Sequence, residues 1–301
     1  MRLTFKYRLF PSSSQRTSMQ KSLDACRWVY NKTLETRKEA WGQRQESISR
    51  YDTNKLLPLW KAENPFLNDA FSQSLQETQK RIDLAFRAFF RRVKAGEKAG
   101  YPRFKSRNRF NSFEFKQYGN GCKVDGRRLK LYGIGRVPVR WHRPIEGTIK
   151  TVRIVLKAGK WYACFTCEVP KSEPLPATGR VVGIDMGISA LITTSDGEKV
   201  ANPNYYRAGQ KRLRILQRRL ARAKRGGKNR RKKLLAVQRQ HEHVANQRRD
   251  YLNKLAYALT QHYDGIAVED LRISNMVRNR RLSKSILDSG WGYFKERLTH
   301  K

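Results

Sequence analysis

The sequence predicts an α+β chain of more than one domain: a β-rich, barrel-like domain carrying an inserted helical bundle, followed by an α/β domain. Three observations predict it. One alternating strand at residues 3–10 is followed by long stretches with helical spacing. From Phe104 to Val169 the pattern turns to short alternating runs punctuated by Gly and Pro. From residue 181 onward, apolar strands are interleaved with long helical patterns.

In "LTFKYRLF", Leu3, Phe5, Tyr7 and Leu9 fall on one face of a strand, which Pro11 and a serine run end. Met19, Leu23, Cys26 and Tyr30 then recur at i, i+4, i+7 and i+11, the spacing of an amphipathic helix. A further helix carries Leu75, Ile82, Phe86, Phe89 and Phe90 on its inner side. Residues 12–94 therefore read as a helical domain inserted after one strand. The runs "SFEFKQY", "RRLKLYG", "TIKTVRIVLKAG" and "WYACFTCEV" make residues 1–11 and 95–172 the β-rich domain, with strand 3–10 joining its sheet. "KSEPLPATGR", residues 171–180, reads as a linker.

The α/β domain, residues 179–301, opens with "VVGIDMGISALITTSDG". Val181, Val182 and Ile184 read as a buried strand that ends in Asp185, Leu191 to Thr194 as the next strand, and Asp196-Gly197 as a hairpin turn. A short strand near Lys199 to Ala201 leads into a helical hairpin, residues 205–262. Leu213, Leu216 and Leu220 mark its first helix; Leu234, Val237, Val244, Leu252, Leu255 and Leu259 mark its second, with Gly226-Gly227 at the turn. "GIAVEDL", residues 265–271, reads as another buried strand, ending in Glu269 and Asp270. Ile286, Trp291, Phe294 and Leu298 predict one last amphipathic helix, with no stop signal before Lys301, the pattern of an unfinished fold.

Charge dominates the composition. There are 65 Lys and Arg against 25 acids, a net charge of +40. Such a chain repels itself unless a polyanion neutralises it, and nucleic acid rewards many phosphate contacts by releasing counterions. Between Tyr205 and Arg249 lie seventeen Lys/Arg and a single acid, Glu242. A solvated helix face does not need so pure a sign, so the hairpin reads as a phosphate-tracking surface. By charge, its candidate contacts are Arg212, Arg218, Arg219, Arg222, Arg225, Arg230 and Arg231. In "GYPRFKSR", Tyr101 is a candidate for stacking on a base, with Arg103 and Lys105 on phosphate; a turn with a packed aromatic is the alternative. No apolar run reaches the roughly 20 residues a bilayer requires, and the N-terminus lacks a signal-peptide core. The expectation is a soluble, cytoplasmic chain with no membrane partner, on the nucleoid when bound to DNA. Cys164 and Cys167 form a CxxC, but on an alternating strand they face opposite sides, which argues against metal binding there. His241 and His243 sit on a charged helix without a metal-binding partner.

Asp185 and Glu269 each end an apolar strand. Such strand ends converge on one edge of an α/β sheet, where sites are built. Facing carboxylates would repel unless a cation lay between them, and Mg²⁺ suits an all-oxygen donor set. From spacing alone, a metal site and a pair of unrelated turn carboxylates remain equally open.

The pair "GIDMG" and "AVEDL", with a basic helical hairpin between them, resembles the first two segments of a RuvC nuclease domain of RNase H-like fold. The ordered set "RLFPSSSQ", "ACRWVYNKTL", "AFRAFFRRVKAG", "GYPRFKS", "VRIVLKAGKWYACFTCEV", "GIDMGISAL" and "VEDLRISNMVRNRRLSKSILDSGWG" resembles the TnpB, or OrfB, family of insertion-sequence proteins, related to type V CRISPR effectors. The resemblance implies a wedge domain at 1–11 and 95–172, a recognition domain at 12–94, and a RuvC/RNase H-like domain at 179–301. It implies Mg²⁺-dependent cleavage of double-stranded DNA beside a short adjacent motif, directed by a guide RNA. Asp185 and Glu269 would be the catalytic and metal-holding carboxylates, for two ions in a complete site. The family's zinc ribbon and third RuvC segment have no counterpart in this sequence. Zinc ligands and a third carboxylate are therefore expected to be missing, and Asp264, Asp270 and Asp288 are the nearby substitutes. Two outcomes follow: guided cleavage, or guided DNA binding without cleavage, as in a repressor. "GIDMG" also occurs in actin-like and sugar-kinase ATPases, but their second phosphate loop and adenosine motif are not found after Asp185. A DNA-strand transposase would want a nucleophilic Tyr or a full acidic triad, and neither is marked.

Overall fold

The computed structural model describes residues 1–170, 173 and 175–300. Two compact units emerge, Met1–Lys171 and Ser172–Lys301. Of the expected linker, Lys171, Ser172 and Pro174 lie outside the described residues.

In the first unit, strand β1 (Arg2–Leu9) leads into helix α1 (Ser13–Arg44), α2 (Arg50–Lys55), α3 (Leu57–Glu63), a 3₁₀ turn at Pro65–Asp69, and α4 (Ser72–Lys94). Strands β2 (Ser112–Phe115), β3 (Cys122–Asp125), β4 (Arg128–Leu131), β5 (Gly135–Arg140), β6 (Thr148–Lys157) and β7 (Lys160–Glu168) follow. The Ser12 hydroxyl accepts from the Gln15 N–H at 3.2 Å, and the Gln15 side chain accepts from the Ser12 N–H at 3.0 Å. This reciprocal cap fixes where α1 begins.

The strands run β2-β6-β7-β1-β5-β4-β3, all antiparallel. They form a curled half-barrel rather than a closed barrel, because β2 and β3 are left as edges. Strand β1 inserts between β7 and β5, so the first nine residues are held by strands more than a hundred residues away. Phe5, Tyr7 and Leu9 of β1 share one buried cluster with Met19 and Leu23 of α1, Leu75 and Ile82 of α4, and Phe165 of β7. The inner face of α4 ends sooner than its sequence suggests. Phe86 is buried, but Phe89 is half-buried and Phe90 is 61% exposed, because the helix outruns the core that covers it. Along β7, Cys167 is buried and Cys164 half-buried, on opposite faces as the alternation requires. Burial pushes the Cys26 thiol up to about 11 and the Cys122 thiol to about 12, so neither is a thiolate at neutral pH.

In the second unit, β8 (Val181–Asp185), β9 (Ala190–Thr194) and β10 (Lys199–Ala201) precede helices α5 (Tyr205–Ala221) and α6 (Lys228–His262). Strand β11 (Gly265–Val268) and helices α7 (Ile273–Met276), α8 (Ser283–Ser289) and α9 (Trp291–Thr299) complete it. The sheet order is β10-β9-β8-β11; β8–β9 and β9–β10 are antiparallel, and β11 lies parallel to β8. Gly197, at φ +86°, makes the turn between β9 and β10. Val182, Ile184, Leu191 and Ile192 bury against Leu252, Ala256 and Leu259 of α6 and Trp291 and Phe294 of α9.

Three expectations need correction here. Val181 is 71% exposed, because the strand alternates and only Val182 and Ile184 face the core. Strand β11 is half-buried rather than buried, being an edge strand. The single last helix is two helices, broken where Gly290 adopts φ +72° and ends α8. No helix among the described residues is long and apolar enough to cross a membrane.

Candidate functional site

Strands β8 and β11 pair in the register Gly265↔Val181, Ile266↔Val182, Ala267↔Gly183 and Val268↔Ile184. Asp185 is the last residue of β8; Glu269 is the first residue after β11, which ends at Val268, short of the carboxylates expected at its end. Each therefore follows directly on the last paired residues, Ile184 and Val268, of two neighbouring strands. Because Val182 and Ile184 face the core, alternation turns Asp185 to the opposite side, the side of Gly183. Both carboxylates are exposed, and neither makes a hydrogen bond or ion pair among the described residues.

The nearby acids are all committed elsewhere. Asp264 accepts from the Thr178 N–H at 2.9 Å, the Gly179 N–H at 2.7 Å and the Thr178 hydroxyl at 2.9 Å, closing the segment before β8 onto the start of β11. Asp270 pairs with the Lys295 ammonium at 2.6 Å. Asp288, a buried carboxylate, accepts from the Tyr206 N–H at 2.8 Å and the Arg207 N–H at 3.2 Å at the start of α5. Among the described residues, no group of three or more His, Cys, Asp or Glu side chains comes together to hold a metal ion. The pair nonetheless fits a hard divalent cation, being all oxygen, unpaired and at the ends of adjacent strands.

Hydrogen bonds from Thr178 and Gly179 hold the Asp264 carboxyl below the usual aspartate range. A lowered folded value means that this contribution is complete above the ordinary aspartate pKa and is lost only as pH falls through the lowered value. Amide exchange at Thr178 and Gly179 is expected to stay protected at mildly acidic pH and to accelerate only below the ordinary aspartate range. Loss of protection near neutral pH would contradict this.

The basic hairpin forms as its spacing suggests. Leu213 of α5 and Val237, Val244, Leu252 and Leu259 of α6 are buried. At Gly209 an added Cβ would meet Val244 Cγ2 at 2.8 Å, so the helices approach closely there because that position lacks a side chain. Arg212, Arg218, Arg219, Arg222, Arg225 and Arg231 are exposed and make no ion pair or side-chain hydrogen bond among the described residues. Arg230 differs: its guanidinium donates to the carbonyls of Leu220 at 3.0 Å and Ala223 at 3.1 Å, capping the end of α5. Charge alone could not separate it from its neighbours.

In the first unit, the Tyr101 ring stands edge-on to Phe86 at 5.5 Å and Phe89 at 5.4 Å, yet Tyr101 remains 42% exposed. Asn31 clamps the backbone of Lys105, accepting from its N–H at 2.8 Å and donating to its carbonyl at 3.1 Å. Arg103, between them, is exposed and makes no ion pair or side-chain hydrogen bond among the described residues. Exposed Phe90 and Phe104 extend the aromatic surface, a feature their spacing did not reveal.

Residues 164–280 match a family profile described as a probable transposase, and residues 1–46 match one described as a helix-turn-helix domain. A Streptomyces pristinaespiralis protein, provisionally named an RNA-guided DNA endonuclease, is 33% identical over 99% of this chain and 74% of its own length. The chain belongs to the TnpB (OrfB) family. The Escherichia coli K12 protein InsQ, provisionally named in the same way, is 34% identical over 99% of the TnpB-family chain and 77% of its own length. A Cas12f1 chain from a cryo-EM complex with guide RNA and target DNA shares the fold, with a TM-score of 0.54 at 12% identity over 95% of this chain and 70% of that one. Despite the helix-turn-helix description, residues 1–46 of this TnpB-family protein hold a strand and one continuous 32-residue helix.

Proposed function

We propose that the chain is an RNA-guided DNA endonuclease of the insertion-sequence type. The observation that supports this reading is the parallel pairing of β8 with β11, with Asp185 ending one strand and Glu269 following the other, both exposed and unpaired among the described residues, in a chain of net charge +40. The half-barrel at 1–11 and 95–172, with the helices of 12–94, acts as wedge and recognition lobe. It holds the guide RNA and reads a short motif beside the target. Base pairing then supplies sequence specificity, and the protein supplies phosphate contacts. The exposed arginines of the 205–262 hairpin run along the RNA–DNA heteroduplex. Arg103 and Lys105 meet phosphate, and Tyr101 offers its free face to a base.

Asp185 and Glu269 are the residues that would hold Mg²⁺. When bound, Mg²⁺ supplies an activated water and charge neutralisation on the leaving oxygen. The two carboxylates orient toward the scissile phosphate from a fixed strand end, and the cationic hairpin offsets phosphate charge as the strand approaches. A second reading, guided binding without cutting, rests on one observation: Asp264, Asp270 and Asp288 are each tied up in structural contacts, so among the described residues none of them joins Asp185 and Glu269.

The hairpin assignment is tested by salt. Replacing Arg218, Arg219 and Arg222 together with Ala is expected to reduce the slope of log affinity against log salt, for RNA transcribed from the chain's own locus, by about 2–3. Arg230→Ala is expected to leave that slope unchanged and to lower the melting temperature instead. An unchanged slope in the triple variant would remove the hairpin from the interface.

A further inference from the structure

We infer that Thr193 is a positioning residue for Asp185, a role that rests on the metal-site reading above. The β8–β9 register pairs Asp185 with Thr193 directly across the antiparallel ladder. Opposed side chains of such a pair share one face, with Cβ atoms about 4.5–5.5 Å apart. Asp185, Thr193 and Lys199 thus form a row across β8, β9 and β10, with Glu269 just past the end of β11 on the other side of Asp185.

A carboxylate that holds a cation with one oxygen is normally steadied by a hydrogen bond to the other. The β11 side of Asp185 cannot supply it, because an ionised Glu269 only accepts. The adjacent donors lie on and just after β9, where the sequence offers three hydroxyls in a row; Lys199 of β10, across from Thr193, stands one strand further away. Thr194 is buried on the core face and accepts from the Glu198 N–H at 3.1 Å. Ser195 is engaged one step away, accepting from the Gly183 N–H at 3.1 Å. Thr193 is half-buried and faces the same side as Asp185, and its hydroxyl makes no hydrogen bond among the described residues. Cross-strand neighbours at that spacing are close enough for a hydroxyl and a carboxylate to meet in an O–H···O bond. Once bonded, Asp185 keeps one orientation toward a cation instead of sampling several.

The bland account is that Thr193 is a β-branched residue suited to a strand. Thr193→Val keeps the shape and strand preference and removes only the hydroxyl; Thr193→Ser restores it. The measurement is Mn²⁺ binding to the full chain, by electron paramagnetic resonance, for the parent, T193V, T193S and D185A. The expected result is an affinity about 10-fold weaker in T193V, near-parental in T193S and lost in D185A, with guide-RNA affinity unchanged throughout. Equal Mn²⁺ affinity in T193V and the parent would overturn the role of Thr193 while leaving the metal site standing. No Mn²⁺ binding by the parent would overturn the metal-site reading, and this inference with it.

Discussion

Asp185→Ala is expected to abolish RNA-guided DNA cleavage while leaving guide and target binding in place. The two activities separate because the residues that carry them are separate. Asp185 touches no other described side chain through a hydrogen bond or ion pair, so its removal breaks no structural contact. A catalytic divalent cation contributes several kcal/mol of transition-state stabilisation, which corresponds to a rate loss on the order of a thousandfold when the cation is lost. Binding should change by no more than about twofold, as for exposed substitutions generally. Any change should be toward tighter binding, since the variant loses a negative charge that would otherwise face phosphate. Glu269→Ala is expected to behave the same way, and the double variant to be no worse than either single one, because both residues serve one cation. Retained cleavage in Asp185→Ala would detach the chemistry from this strand end. Lost RNA binding would mean that Asp185 is structural.

Asp288→Ala is expected to produce the opposite pattern, losing stability and nucleic-acid binding together. The residue that precedes α5 is Asn204, whose side chain makes no capping bond. The first N–H groups of α5 are satisfied instead by Asp288, from a helix some eighty residues later in the chain. Arg248 of α6 also approaches this carboxylate, at 3.7 Å. One buried group therefore ties α5 and α6, the two arms of the cationic hairpin, to α8. Its removal leaves the α5 backbone donors without their acceptor and takes the ion-pair partner from Arg248, which keeps the Leu287 carbonyl at 2.9 Å, a loss of about 3–5 kcal/mol. Thermal denaturation should show a midpoint lower by on the order of 10 °C. Asp288→Asn, which keeps an acceptor, should lie between. A midpoint within about 2 °C of the parent would show that α5 is held by something else.

The parts legible in the sequence were those with strong local period. The β1 alternation, the spacing along α1, the hairpin turn at Gly226 and the short strand Lys199–Ala201 all appear where their patterns place them. What escaped depends on partners distant in the chain. The strand that precedes Glu269 is brought beside the strand that ends in Asp185 only through a register formed across some eighty residues. Thr193 looks like any strand threonine until β9 is laid against β8. Arg230 is indistinguishable by charge from Arg231, yet one caps a helix and the other faces solvent. Phe90 has the helical spacing of a core residue, but it lies beyond the core and stays exposed. The break at Gly290 needed one left-handed residue, which an uninterrupted apolar spacing hides.

The most direct test of the central claim uses the purified chain loaded with RNA transcribed from its own locus. It is incubated in Mg²⁺ with a DNA library whose members match the RNA or are scrambled, each beside randomised flanking bases, and retention and cleavage are scored on one gel. The account predicts that matched DNA is retained only when RNA is loaded, and is cut in a way that Asp185→Ala prevents. Equal retention of matched and scrambled DNA would contradict it and leave only a polycation that binds nucleic acid without guidance.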